Sequence, residues 1–229
     1  METNKEKIEK MIRSGDYHHM IEVRAQEPAE EGKPVERVIE GTPIVFDQKT
    51  ELYRYHDDWV DKDIIVHEII EKGACDNADT RNCFLKFNHD ESVMPLARVK
   101  NGTLQLDIQE DGVHMKATLA DTTAGRDLYT LVKDGTIDKM SFAFTIDEDE
   151  FDSVETENEI VVTRTVKKIK SLYDVAAVMV PAYEQTSLYA RSKGDVEAFL
   201  KAKVETERAK KLEEAKAGLH DFIKQNSCK

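Results

Sequence analysis

The sequence predicts an α+β fold in which a mainly antiparallel sheet closes into a barrel surrounded by helices. Three observations predict it. Short runs rich in β-branched and aromatic residues recur from about residue 37 to residue 180, and Asn-Gly and Asp-Gly dipeptides separate some of them. One helical pattern interrupts the runs. The C-terminal segment is rich in Lys, Glu and Ala. Runs of strands with few helices between them favour antiparallel pairing over alternating β-α units.

The first part of the chain predicts an arm. Residues 1–15 are strongly charged, which fits a short helix or a disordered segment. A polar stretch with two prolines and a glycine follows and predicts a loop. We therefore expect residues 1–34 to form an N-terminal arm outside the folded domain.

Three strands are expected after the arm. The run from Arg37 to Phe46 is rich in β-branched residues, and Gly41 and Pro43 within it indicate a bulge or an edge strand. Two further runs of the same character predict the next strands: Ile64–Ile70 and Asn82–His89.

Two hairpin signals come next. Asn101-Gly102 and Asp111-Gly112 each lie between apolar runs. Both dipeptides favour the positive φ angles of a type I′ turn, so we expect a meander with a turn at each of them.

A single helix interrupts the strands. Its N-cap candidates are Asp121-Thr122-Thr123, and Gly135 is placed to end it. The apolar stripe between them has helical spacing and consists of Leu128, Leu131 and Val132.

The rest of the domain predicts strands and one loop. Met140–Ile146 predicts a strand, and the acidic stretch Asp147–Asp152 predicts a solvated loop. Strands resume at Ile160–Thr163 and at Leu172–Val180, where Pro181 ends the ladder.

From about Ser192 the composition predicts a helical tail. The segment from Glu205 to Lys211 is polar on all sides, which indicates a protruding tail and not part of the core.

The bulk properties limit the function. The chain has 229 residues, of which 40% are hydrophobic, enough for one domain with a core. Its net charge of -13 opposes binding to nucleic acid or to anionic membranes. No apolar run approaches the ~18 residues of a membrane span, and the N-terminus lacks the apolar segment of a signal peptide, so we expect a cytosolic protein. Three irregularly placed cysteines fit this expectation.

Two segments could carry chemistry. Phe87-Asn88-His89-Asp90 places a histidine at the end of an apolar run, and Lys139–Phe144 places Ser141 on a strand face of small residues. A histidine beside a serine hydroxyl can take its proton and make the oxygen a nucleophile. The alternatives are an ordinary serine in a packed sheet and a structural histidine on a strand face shared with Leu85 and Phe87.

A third candidate is Asp174, which interrupts the nearly continuous apolar run Leu172–Val180. A buried carboxylate is costly unless it is paired or hydrogen-bonded, and an imidazolium would be a suitable partner. Equally, Asp174 could lie at the strand mouth, where it would accept backbone hydrogen bonds or pair with Lys168 or Lys170.

A metal site is the less favoured interpretation. Histidine and cysteine ligand types concentrate in one region, but their spacing matches no closed zinc pattern. The residues concerned are His67, Cys75, Cys83 and His89. We expect buried or surface thiols there, and neither a metal nor another cofactor.

At these residues the chain resembles the phage prohead (procapsid maturation) serine proteases, a family typified by the protease of phage HK97. The matching stretches occur in the family's order and cover residues 35–191. They are Val38–Phe46, Phe87–Asp90, Pro95–Leu104, Asp121–Leu128, Lys139–Phe144 and Leu172–Tyr183.

The resemblance implies specific roles. It implies a β-barrel surrounded by helices, as in the related herpesvirus assemblins, with His89 as general base and Ser141 as nucleophile. Where assemblins use a second histidine, the corresponding late strand here offers Asp174. Ala97 stands where a glycine is usual before the arginine, and Arg98 or a backbone N–H near Ser141 is the candidate oxyanion donor.

The resemblance also implies the biology. It implies a serine endopeptidase that cleaves scaffold or coat-protein segments inside the immature capsid and then itself, in the host or prophage-carrying bacterial cytoplasm. The major capsid protein and its scaffold segment are then the substrates. We also expect that the chain can form a homo-oligomer and that neither nucleic acid nor a membrane is a partner. We expect a protease domain at residues 35–191 and a helical tail at 192–229 that self-cleavage removes. The alternative is an inactive relative that acts as an internal scaffolding or coat-binding module.

Overall fold

The computed structural model describes residues 21–22, 36–58, 60–179 and 187–226. The chain divides into two compact units, one ending at Leu188 and the other beginning at Tyr189. The predictions for residues 1–15 and for the loop before residue 35 lie outside the described residues, as does Pro181. The limits predicted for the arm, the domain and the tail stay predictions.

Strands dominate the described residues, with two helices, so the α+β class is confirmed. Helix α1 spans Thr123–Lys133, between strands β8 and β9, and α2 spans Ser187–Asn226, after β10. The strands are β1 (Ile21–Glu22), β2 (Val38–Val45), β3 (Thr50–Asp57), β4 (Lys62–Ile70), β5 (Phe84–Phe87), β6 (Ala97–Arg98), β7 (Leu104–Ile108), β8 (Gly112–Thr118), β9 (Lys139–Glu155) and β10 (Glu159–Val178).

The strands form two sheets. The smaller has the order β1-β2-β8-β7, and the larger has the order β3-β4-β10-β5-β6, with β9 paired to β10. The pairs of β10 with β4 and with β5 are parallel, whereas the other pairs are antiparallel. The mainly antiparallel character is therefore as predicted, and closure of the sheets into a barrel stays a prediction.

The acidic loop predicted at Asp147–Asp152 is wrong, because this segment continues β9. It pairs mainly with residues 163–168 of β10, most of which were predicted to lie between two strands, so Ile160–Thr163 and the predicted strand from Leu172 belong to one long strand that ends at Val178. The predicted end at Val180 lies outside the described residues. Basic side chains of β10 accompany the acidic ones of β9. The pairs are Arg164 with Asp149, Lys167 with Glu150 (2.5 Å) and Lys168 with Asp147 (3.9 Å).

The two hairpin signals have different outcomes. Asp111-Gly112 does connect β7 to β8, but neither residue has a positive φ, so the type I′ turn is wrong. Gly112 is needed for space, because a Cβ there would lie 2.1 Å from the carbonyl oxygen of Ile44. Asn101-Gly102 ends a short 3-10 turn instead of a hairpin, since β6 pairs with β5 and not with β7.

The bulge and the helix are confirmed. The pairing of β2 with β8 shifts register between Gly41 and Ile44. At the start of α1, the Thr122 hydroxyl accepts a hydrogen bond from the Gly125 N–H at 3.1 Å, which satisfies one of the free N–H groups of the first turn. Gly135 follows the helix with a φ of 77°, which glycine adopts at little cost.

The main core lies around β9, whose residues 140–145 are buried on both faces. The rings of Phe142 and Phe144 stack with centroids 5.1 Å apart, within a cluster contributed by β2, β5, β8, β9, β10 and α1. The strand is therefore held from both sides, which fixes the side chains that project from it.

The tail is helical, as predicted, but its helix begins at Ser187 and not near Ser192. Val196 and Leu200 are buried, whereas most side chains described from Lys201 onward are exposed. In the described part of the chain, neither helix has the length and apolar character needed to cross a lipid bilayer.

Candidate active site

Ser141 lies on β9, directly opposite Ala176 of β10. Strand alternation places Ser141, Ala143 and Thr145 on one face of β9, as predicted. The Ser141 hydroxyl is fully buried, yet it has no hydrogen-bond partner among the described residues. A buried polar group without a partner costs about 1–3 kcal/mol, so a hydroxyl in this state calls for a functional explanation.

His89 lies in a tight turn just after β5 and not on the strand, which corrects the predicted strand face shared with Leu85 and Phe87. Asn88 and His89 have φ angles of 49° and 54°, and the Asp90 N–H donates to the Phe87 carbonyl at 2.9 Å. Two successive left-handed residues closed by this bond have the form of a type I′ turn. The turn lifts His89 off the end of the strand.

Asn88 fastens this turn to the end of β10. Its backbone N–H donates to the carbonyl of Ala177 at 2.9 Å, and its side-chain oxygen accepts from the Met179 N–H at 3.0 Å. Asparagine tolerates left-handed φ angles better than other residues with a Cβ. Asn88 therefore provides both the conformation and the anchor.

Asp174 lies on β10, between Ala143 of β9 and Phe84 of β5 in register. Its side chain is 2% exposed, so the predicted burial is correct. Its Oδ1 lies 2.5 Å from Nδ1 of His89. A carboxylate can only accept, so Nδ1 donates this bond, and in a neutral imidazole Nε2 then presents its lone pair.

The histidine pair and the serine lie on the same face of the sheet. Paired residues on neighbouring strands project to one face, so Ser141 shares the face of Ala176, and Asp174 lies two residues before Ala176. Nε2 of His89 is buried without a partner among the described residues, like the Ser141 hydroxyl. The structure thus joins His89 to Asp174 and places Ser141 on the same face of the sheet, with no hydrogen bond between Ser141 and His89.

Lys86 is the partner of Asp174 that sequence reasoning missed. Its Nζ lies 3.3 Å from Asp174 Oδ2 and 2.5 Å from Glu91 Oε1. Of the two lysines proposed instead, Lys168 lies 3.9 Å from Asp147, and Lys170 is exposed. Parallel pairing of β5 with β10, which brings Lys86 to this face, had no signal in the sequence.

Arg98 lies farther from Ser141 than the other candidates. Arg98 of β6 pairs with Phe84 of β5, and Phe84 pairs with Asp174 of β10. Asp174 in turn pairs with Ala143 of β9, so three strand spacings, about 14 Å, separate the backbone of Arg98 from that of β9. Its guanidinium stacks on the ring of Phe84, 4.6 Å from the centroid, and donates to Asn82 at 2.8 Å. The structure does not bring Arg98 to the serine, and its role in oxyanion binding stays a prediction.

The two histidines and two cysteines weighed as metal ligands lie at four separate positions along the chain, of which only His67 is within a strand. Cys75 and Cys83 are buried free thiols, and burial raises the pKa of Cys75 to about 12. His67 lies on β4, where burial lowers the pKa of its imidazole. Within the described ranges, no group of three or more His, Cys, Asp or Glu side chains is arranged to hold a metal ion.

Comparison with known proteins identifies a protein family that matches most of the chain. A sequence model described as Caudovirus prohead serine protease matches residues 19–201, which include His89, Arg98, Ser141 and Asp174. The match begins before residue 35 and ends beyond residue 191. Searches of curated proteins and of solved structures give no significant match.

The turn at Asn88 gives a test of how His89 is held. We expect Asn88→Gly, which keeps the left-handed conformation but removes the bond to Met179, to lower the free energy of unfolding by about 1 kcal/mol. Asn88→Ala adds backbone strain of about 1–2 kcal/mol and should cost more. Urea unfolding of both variants measures this order. Equal stability of Asn88→Ala and the wild type would show that the turn does not depend on Asn88.

Proposed function

Since the chain belongs to the Caudovirus prohead serine protease family, we propose that it cleaves scaffold or coat-protein segments inside the procapsid and then cleaves itself, with Ser141, His89 and Asp174 as its catalytic residues. Family membership makes the chain a serine protease of phage capsid maturation. The observation that best supports the residue roles is the 2.5 Å contact of His89 with buried Asp174. It lies on the sheet face of the Ser141 hydroxyl, which is buried and has no hydrogen-bond partner within the described ranges.

The geometry supports a two-stage acyl transfer. His89 Nε2 accepts the Ser141 proton while the serine oxygen attacks the scissile carbonyl carbon and forms a tetrahedral oxyanion. When the intermediate collapses, the C–N bond breaks, and the imidazolium returns the proton to the leaving amine. Water then enters, gives a proton to Nε2 and attacks the acyl carbon to form a second tetrahedral intermediate. Its collapse breaks the bond between the acyl carbon and the serine oxygen, which takes the proton back from Nε2 as the acid leaves.

Asp174 serves the histidine in both stages. Its Oδ1 accepts the Nδ1 proton, which leaves Nε2 free to act as base, and its negative charge stabilises the imidazolium. Because the carboxylate is buried on β10, little solvent screens this charge.

One contact of this mechanism forms only in the reacting complex. In the part of the chain that the structure describes, the Ser141 hydroxyl and His89 Nε2 have no hydrogen-bond partner and are not hydrogen-bonded to each other. Such contacts are often long in the free enzyme and close when substrate binds. We propose that the bound peptide closes this one.

We further propose that residues 192–229 deliver the protease into the procapsid and are then trimmed by it. Exposed side chains predominate from Lys201 onward in α2, so this part contributes little to a core. An exposed, weakly packed helix opens at low cost and is then accessible to a neighbouring protease molecule.

Substitution of Ser141 distinguishes an active protease from the alternative, an inactive relative that acts as a scaffolding or coat-binding module. We expect Ser141→Ala and His89→Ala each to abolish cleavage of the phage's major coat protein co-expressed with the chain, as measured by mass spectrometry, because they remove the nucleophile and its base. Matched controls are Ser153→Ala, on the same strand, and His56→Ala, whose side chain is exposed on β3. Cleavage at the same bonds by Ser141→Ala would refute the assignment, and an uncleaved coat protein with the wild type would favour the inactive module.

The role of Asp174 has its own test. We expect Asp174→Asn to lower the rate of coat-protein cleavage by about 10²–10⁴-fold, because the amide can donate to Nδ1 and so place the imidazole proton on Nε2. Asp147→Asn, whose carboxylate lies 3.9 Å from Lys168, is the matched control. A rate for Asp174→Asn within a few-fold of the wild type would make Asp174 structural. His67 and Glu184, the latter outside the described residues, would then be the next candidates.

Truncation tests the proposal for the tail. A chain that ends at Arg191 should still react at Ser141 with a fluorophosphonate probe but should be recovered from purified procapsids in smaller amounts than the full chain. A second chain ending at Lys203 keeps the buried Val196 and Leu200 and separates their loss from loss of the exposed remainder. Normal recovery of both shortened chains, or failure of both to fold, would contradict the proposal.

A further inference from the structure

The carboxylate of Asp174 has a different partner on each oxygen. Oδ1 accepts from His89, and Oδ2 lies 3.3 Å from Nζ of Lys86. The same Nζ lies 2.5 Å from Oε1 of Glu91. One ammonium group therefore bridges the strand β10 and the loop that carries His89.

The half of this bridge between Lys86 and Asp174 is largely shielded from water. The side chain of Lys86 is 14% exposed, and that of Asp174 is 2% exposed. An exposed lysine–carboxylate pair contributes about 0–1 kcal/mol, but a buried carboxylate needs its compensating charge. A neutral imidazole gives Asp174 a hydrogen bond without a positive charge, so Lys86 is the cation that offsets the charge of Asp174 before the reaction.

The charge on Lys86 is itself well supported. Burial disfavours the ammonium, but the hydrogen bond to Glu91 and the charges of Asp174 and Glu91 outweigh it, so the pKa of Lys86 lies above its usual value. Around this bridge, β10 contributes Asp174, the loop after β5 contributes His89 and Glu91, and the residue before β5 is Cys83, whose thiol pKa is raised by burial and then by Asp174. Across the sheet, β9 contributes the Ser141 hydroxyl.

The bridge also helps to hold the loop that carries His89 in its conformation. Glu91 comes two residues after His89, and the turn that carries His89 has two left-handed residues in succession. Such a turn persists only where its surroundings hold it. Asn88 holds one side of it against β10, and Lys86 holds the other through Glu91.

We propose that Lys86 is a positioning residue of the proposed serine protease site: by binding Asp174 and Glu91 together, it fixes the carboxylate and the loop on either side of His89, and it sets the charge that the imidazole faces. This inference rests on the proposed function. Lys86, Asp174 and Glu91 together carry one net negative charge, which formation of the imidazolium neutralises.

Two opposite charge changes test the proposal. The probe is a fluorophosphonate, which reacts with an activated serine and needs no knowledge of the natural substrate. Its labelling rate is measured over a range of pH for the full-length wild type, Lys86→Met, Lys86→Arg and Glu91→Gln. The matched control is Lys116→Met, a lysine on β8 that also lies 3.3 Å from a carboxylate, that of Glu40.

We expect Lys86→Met to lower the plateau labelling rate by about ten- to a hundredfold, because the base is less well placed. On acidification, the labelling rate of Lys86→Met should begin to fall at a pH about half a unit or more above that of the wild type, because loss of a nearby cation favours the imidazolium. Glu91→Gln removes a nearby anion, so its labelling rate should fall at a lower pH than that of the wild type. Lys86→Arg should restore most of the rate, and Lys116→Met should match the wild type.

A wild-type plateau and pH profile in Lys86→Met would overturn the proposal. So would a lower plateau with an unmoved pH profile in both Lys86→Met and Glu91→Gln, which is the result for a purely structural lysine. If circular dichroism shows that Lys86→Met does not fold, the pH profile of Glu91→Gln tests the proposal instead. This variant should fold, because the Glu91 side chain is 77% exposed. A wild type that is not labelled, or is labelled equally after Ser141→Ala, refutes the proposed function itself and the role of Lys86 with it.

Discussion

The burial of one carboxylate, Asp174, is the constraint on which the site depends. An ionised carboxylate removed from water must find hydrogen bonds and opposite charge inside the protein. The structure supplies both through His89 and Lys86, and both partners come from β5 or the turn that follows it. The need to satisfy this one group therefore determines where the imidazole lies, which nitrogen carries its proton and which nitrogen is free to act.

The long strand β10 makes this arrangement geometrically possible. On one side it pairs with β5, which ends at the His89 turn, and on the other side with β9, which carries Ser141. Opposite both Ser141 and Lys86 lies Ala176, whose methyl group fills little of the space above the sheet. Base and nucleophile are thus held by two neighbours of one strand, while the dense packing of Phe142 and Phe144 beneath fixes the backbone at the serine.

Local patterns in the sequence predicted the parts of the structure that depend on local physics. Helix α1 has its cap at Thr122 and its stop at Gly135, and β2 has its bulge where Gly41 and Pro43 indicated one. The burial of Asp174 was also predicted, because a carboxylate within a nearly continuous apolar run indicates a buried residue that is paired or hydrogen-bonded.

Features that depend on distant pairing were not visible. The acidic part of β9 resembles a loop until the basic side chains of β10 lie beside it, among them Lys167. The parallel pairing of β5 with β10 brings Lys86 to Asp174 from 88 positions away along the chain, and no local pattern encodes that meeting. The left-handed turn at His89 was likewise not predicted by the period-two pattern, because it depends on the hydrogen bond between Asn88 and Met179.

Nuclear magnetic resonance of the protein labelled with ¹⁵N-histidine tests whether Asp174 sets the tautomer of His89. We predict that neutral His89 carries its proton on Nδ1, with a far-downfield proton signal that disappears in Asp174→Asn. A proton on Nε2 in the wild type, or a spectrum of His89 that Asp174→Asn leaves unchanged, would contradict it.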